Sequence, residues 1–170
     1  MTIKTSRELD GLAVVSLSSG ERLGRVEDVV FHPASGRVTG FLVNRGGMFT
    51  KPKYLTADQV QGLGADALTI KSEEALTDSD TVGAPPEDIA AKQLDGRPVL
   101  NQAGIILGKI ADIALETEGL TVPYLVLATG LLDNALHGKP QLPLSLIQTI
   151  GADSVIVSNA YDPKPPDAHM

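Results

Sequence analysis

The chain carries one pattern twice, and that duplication constrains its fold more than any single motif. Leu9-Asp10-Gly11 with Val14 returns as Leu94-Asp95-Gly96 with Val99, Gly20 and Leu23-Gly24 return as Gly104 and Leu107-Gly108, and Asp28 returns as Asp112. The echo continues through Gly36 and Gly119, Leu42-Val43 and Leu125-Val126, Leu55 and Leu142, and Gly64-Ala65-Asp66 and Gly151-Ala152-Asp153. The offset drifts between 83 and 87, so small length changes fall between the matches and mark loops. Two units of about seventy residues each follow. A domain that small buries only about 60% of the surface its unfolded chain exposes. The twins are therefore expected to pack on each other about a pseudo-twofold axis.

Each unit reads as all-β with one short helical turn. Ala13-Val14-Val15-Ser16-Leu17 predicts a strand, Gly20 a turn, Gly24 to Phe31 a second strand, His32 to Gly36 a turn, Arg37 to Asn44 a third strand, and Leu68-Thr69-Ile70 a last one. Between these, Thr56 to Leu63 opens with a cap-like Thr-x-Asp and predicts the helical turn, repeated at Leu144 to Ile150. In the second strand Val26, Val29 and Phe31 are spaced three and then two, and Ile110, Ile113 and Leu115 repeat that spacing. Strict alternation would send Val26 and Val29 to opposite faces, so a β-bulge near Asp28 and Asp112 is expected. Hydrogen bonds from the irregular backbone explain these carboxylates better than catalysis or metal binding. Gly11, Gly24, Gly96 and Gly108 are read as structural with them.

The organisation is a first unit at 1–76, an acidic linker at 77–90, a second unit at 91–162 and a Pro-rich tail at 163–170. The Pro85-Pro86 step stiffens the linker. The tail is expected to be disordered.

Charge narrows the partners. The net −7 argues against DNA, RNA or an anionic membrane as a nonspecific target, and 4% aromatic residues without tryptophan argue against stacking platforms for single strands. Basic and acidic residues cancel within 1–76, whereas Asp78, Asp80, Glu87 and Asp88 crowd the linker with no base among them. No apolar run reaches the roughly twenty residues of a membrane span, and no signal-peptide core follows Met1, so a cytoplasmic location is expected. Zero cysteines exclude disulfides and thiolate chemistry.

Leu9-Asp10-Gly11 opening a strand, Leu23-Gly24-Arg25-Val26-Glu27-Asp28-Val29-Val30 and Gly40-Phe41-Leu42-Val43 together resemble the PRC-barrel family. Leu107-Gly108-Lys109-Ile110-Ala111-Asp112-Ile113, Tyr124-Leu125-Val126 and Leu142-Pro143-Leu144 carry the resemblance in the second unit. It implies two partly open barrels of five or six strands that serve in assembly rather than catalysis. The family's settings, a photosynthetic reaction-centre subunit and a ribosome-maturation factor, imply a membrane-complex protein or a ribosomal protein as partner.

Chemistry is sparse. His32, His137 and His169 stand apart from one another, no Gly-rich phosphate loop follows a strand, and no serine sits in a nucleophile elbow. Neither an enzyme, a cofactor nor a metal is expected. The copies diverge most after the third strand. Residues 45–54 carry Arg45, Met48, Phe49, Lys51, Lys53 and Tyr54, and residues 128–140 carry Leu131, Leu132, Leu136 and His137. Long loops on rigid barrels are contact surfaces, and these either bind a partner or close on their own barrels and on each other. The leading reading is an interaction adaptor using these loops. The alternatives are a ribosome-associated factor with Arg45, Lys51 and Lys53 near RNA, and a small ligand in the groove between barrels.

Overall fold

The computed structural model describes residues 1–47, 50–79, 85–130 and 138–163. Alternating burial lays the chain out as strands, with the β-branched and large apolar residues facing inward. The first half runs β1 (Ile3–Thr5), α1 (Ser6–Leu9), β2 (Ala13–Ser16), β3 (Arg22–His32), β4 (Arg37–Asn44), β5 (Lys53–Thr56), β6 (Val60–Leu63), β7 (Ala67–Ile70) and β8 (Thr77–Asp78). The second runs β9 (Ile89–Ala90), α2 (Ala91–Leu94), β10 (Pro98–Leu100), β11 (Ile106–Glu116), β12 (Thr121–Ala128), β13 (Gln141–Pro143), β14 (Ile147–Ile150) and β15 (Val155–Val157).

Among the described residues the first unit orders its strands β6-β7-β2-β3-β4-β5 and the second β14-β15-β10-β11-β12-β13. Among the described residues, β2–β7 and β10–β15 are the parallel pairs within these units. The outer strands β5 and β6 do not pair with each other, nor do β13 and β14, so each barrel is partly open. The predicted helical turns are single 3-10 turns at Ala57–Gln59 and Leu144–Leu146. Thr56 makes no side-chain cap there, so the Thr-x-Asp signal is not what forms the first turn.

The bulges fall where the spacing places them. The β3–β4 register slips between Val26 and Asp28, the β11–β12 register between Ile110 and Asp112, and Val26, Val29 and Phe31 all reach the core. At the next level of detail the sequence equivalence is out by one. Arg37 pairs with Thr121, Val38 N–H donates to Leu120 O at 2.9 Å and Val122 N–H donates to Gly36 O at 2.6 Å. A shift of 84 carries Arg37 onto Thr121 and the first of these hydrogen bonds onto the second, so the pseudo-twofold axis passes through this β4–β12 contact. Gly36 therefore corresponds to Leu120 rather than Gly119, and Phe41-Leu42 to Leu125-Val126. Leu120 keeps the left-handed conformation of Gly36, φ +52° against +74°. That conformation costs a non-glycine residue roughly 1 kcal/mol. The adjacent Gly119 misled the identity-based match.

The two units also exchange arms. β1 pairs with the far end of β11, with Lys4 opposite Leu115, while β9 pairs with β3, with Ile89 opposite Phe31. The ends of the segment read as linker are thus strands, β8 on β5 and β9 on β3, because each finds an open ladder beside it. Leu9-Asp10-Gly11 does not open a strand either. Thr5 and Glu8 form a capping box, with Glu8 N–H donating to Thr5 Oγ1 and Thr5 N–H donating to Glu8 Oε1, so Leu9 ends α1 and Asp10-Gly11 turns the chain into β2. One apolar cluster runs through both barrels, from Val14, Phe31 and Phe41 to Leu94, Ile113 and Leu125.

Candidate functional site

The two aspartates hold the barrels together. Asp28 and Asp112 each accept the next residue's amide across the bulge, from Val29 at 2.9 Å and Ile113 at 2.8 Å. Each also reaches the short helix that follows the exchanged arm. Ser6 N–H, Ser6 Oγ–H and Arg7 N–H donate to Asp112 at 3.1, 2.7 and 3.3 Å, and Lys92 N–H donates to Asp28 at 3.2 Å. A carboxylate on a bulge thus satisfies amides that the start of a helix leaves without partners.

Asp28 is buried, and burial pushes its pKa above the ordinary aspartate value, against the pull of the Val29 and Lys92 amides. A raised folded-state pKa means that the native state takes up the proton first, so this group's contribution to stability rises as pH falls through that window. Asp28→Asn, which keeps the Oδ1 acceptor, is expected to be at least as stable as wild type at pH 7, with the gap closing towards pH 4. Asp28→Ala loses the acceptor and is expected to cost about 2 kcal/mol. Urea titrations of the three proteins across that range check both; an Asn variant clearly weaker at pH 7 would show that the ionised carboxylate is net stabilising.

Gly24 and Gly108 are small for a geometric reason. A Cβ would lie 2.5 Å from the Asn44 carbonyl oxygen in one barrel and 2.9 Å from that of Ala128 in the other. Gly11 and Gly96 share a left-handed turn, φ +88° and +79°.

The loop residues sort differently from the sequence reading. Tyr54 belongs to the core: it is 3% exposed and donates its hydroxyl to Thr39 O at 3.2 Å, because β5 turns its ring inward over Gly40. Burial raises its pKa. Arg45 donates to Leu23 O and pairs with Glu73 at 2.8 Å, and Lys53 pairs with Asp78. Lys51 is exposed. Met48, Phe49, Leu131, Leu132, Leu136 and His137 lie outside the described residues.

Two features went unread in the sequence, the anchor on Asp88 and the groove over Gly24, whereas a groove between the barrels was expected from it. His32 Nδ1 and Thr39 Oγ1 both reach the buried Asp88 carboxylate, at 2.9 and 2.6 Å, tying the arm that leads into β9 to the first barrel. A groove of about 400 Å³ between the barrels is lined by both short helices, Asp112 and Glu27. A larger groove of about 580 Å³ runs over Gly24 between Arg22, Arg25 and Arg45, beside Asp10 and Lys92. Among the described residues, no three His, Asp or Glu side chains gather to hold a metal, and no helix is long and apolar enough to cross a membrane.

Paired open barrels, each with a bulged central hairpin and an aspartate on the bulge, define a duplicated small-barrel architecture. The PRC-barrel domain family model matches residues 1–76 and again 86–162. The chain belongs to the PRC-barrel family and carries the domain in tandem. The second match begins inside the segment read as linker, just ahead of β9. No curated protein matches the chain.

Proposed function

We propose that this tandem PRC-barrel chain is a non-enzymatic assembly adaptor that binds a protein partner through the loops at 45–54 and 128–140. One observation carries the reading. The barrels keep a constant shift of 84 along β3–β4 and β11–β12, yet the shift becomes 87 at Leu55 and Leu142, so the second loop is three residues longer than the first. Chain that pairs is held in common, and chain that emerges from the same end of each barrel is not. Connections between strands accept a change of length at little cost, which suits them to specific contacts. Ribosome association is the weaker reading, because Arg45 and Lys53 already face Glu73 and Asp78.

Cross-linked affinity capture from source cells, with membranes solubilised and a nuclease-treated control, tests the proposal. A discrete nuclease-resistant partner is expected, and it should be lost with Met48→Ser/Phe49→Ser while the thermal midpoint is unchanged. Unchanged capture by that variant sinks the loop assignment. Ribosomal proteins lost on nuclease treatment favour the alternative.

A further inference from the structure

The duplication supplies an internal control for the groove over Gly24. Shifting its residues by 84 lands on a second groove of about 350 Å³, lined by Ile106, Leu107, Gly108, Lys109, Ala128, Thr129 and Gly130. The floors match, since Gly24 and Gly108 are both bared by the close carbonyl beneath them. The walls do not: Arg22 becomes Ile106, Arg45 becomes Thr129 and Asn44 becomes Ala128. The same backbone therefore folds with an isoleucine at 65% exposure where the first barrel has an arginine. Folding does not demand a cation at Arg22 or Arg45, whereas Arg25 is matched by Lys109.

We propose that the groove over Gly24 docks an acidic, carboxylate-bearing segment of a partner protein. The inference rests on the adaptor reading and names the partner's chemistry. The Arg22 side chain makes no hydrogen bond or ion pair within the described residues, and Arg25, an exposed residue, donates from Nη1 to Gly11 O at 2.9 Å. The negative groups on the walls are already engaged, Asp10 with Lys92 at 3.4 Å and Glu27 with Asn44. The β2–β3 register slips between Gly24 and Arg22, which leaves Arg22 and Arg25 both exposed along one stretch of β3. Guanidinium matches carboxylate in two-pronged geometry. The chain's own −7 charge opposes a denser polyanion such as duplex nucleic acid.

Fluorescence anisotropy of a labelled ten-residue glutamate peptide, at low salt with the full chain, reads the site directly. Saturable binding is expected, weakened at least about tenfold by Arg22→Ser/Arg25→Ser, a factor equal to about 1.4 kcal/mol. Arg22→Ser alone, which breaks no side-chain hydrogen bond or ion pair among the described residues, should account for part of that loss. Lys109→Ser changes net charge by the same amount in the other groove and should leave binding unaltered. No saturable binding, or an equal loss with Lys109→Ser, overturns the assignment. So does displacement by inorganic phosphate at matched ionic strength, which would mark a phosphate site, and so does wild-type self-association abolished by Arg22→Ser, which would give the groove to a second copy. The Met48 and Phe49 capture experiment reports on a different loop, so its result separates failure of the adaptor reading from failure of this one.

Discussion

Replacing Asp112 with alanine is expected to lower the unfolding free energy by about 3 kcal/mol, since hydrogen bonds to a charged acceptor are each worth about 1.5–3 kcal/mol and several depend on it. Ser6 N–H, Ser6 Oγ–H, Arg7 N–H and Ile113 N–H all donate to this one carboxylate. Three of those donors sit on α1, which follows the exchanged arm β1, so the loss falls on the junction between barrels. Asp112→Asn keeps Oδ1 but sets an amide NH₂ against Arg7 N–H, and is expected to cost about 1 kcal/mol. Urea unfolding of both variants, with hydrogen exchange on the amides of residues 3–9, checks the prediction. Faster exchange across the arm should accompany the lost stability; an Asp112→Ala protein within a few tenths of a kcal/mol of wild type would refute the coupling.

Gly40→Ala is expected to be comparably severe, at about 3 kcal/mol, the upper part of the range for overpacking a filled core. A Cβ at this position would lie 2.5 Å from the Tyr54 ring and 2.7 Å from the Leu55 carbonyl oxygen. The ring cannot retreat, because Tyr54 is 3% exposed and anchored through its hydroxyl to Thr39 O. In a Tyr54→Ala background the same substitution should cost at least about 1 kcal/mol less, the coupling expected of residues in direct contact. A thermal or urea double-mutant cycle measures that term, and additive effects would mean that the Leu55 backbone alone opposes the change. The second barrel differs at this site: a shift of 84 places the half-buried Tyr124 where the first barrel has Gly40, and the register places the exposed Gln141 where it has Tyr54.

Much of this fold was legible because burial leaves a periodic trace. The strand at Arg37–Asn44 appears with its predicted bounds, and the uneven spacing of Val26, Val29 and Phe31 announced a bulge that the β3–β4 register contains. Asp28 and Asp112 were readable as backbone acceptors for the same reason: a bulge leaves an amide that a neighbouring carboxylate can satisfy. What these carboxylates do across the barrels was not readable. Ser6 and Asp112 are 106 residues apart, and no local pattern encodes their contact. The capping box at Thr5 and Glu8 was a signal present in the sequence, and reading it would have converted the assumed strand opening at Leu9 into the end of a helix. Tyr54 was misplaced because a tyrosine beside two lysines reads as loop, whereas pairing with β4 turns it inward.

The sequence by itself determined that there are two all-β units, roughly where their strands run and where they bulge, because side-chain alternation and glycine positions are local consequences of which face meets water. Only the tertiary structure decided that the arms β1 and β9 cross to the other barrel, that the axis passes between Arg37 and Thr121, and that Gly36 is matched by Leu120. It also decided that Arg22, Arg25 and Arg45 gather over Gly24, while the matching groove in the second barrel keeps only one cation, Lys109. Those facts depend on which open strand edge lies within reach once both barrels have formed, and edge pairing is read by backbone amides and carbonyls that every residue carries alike.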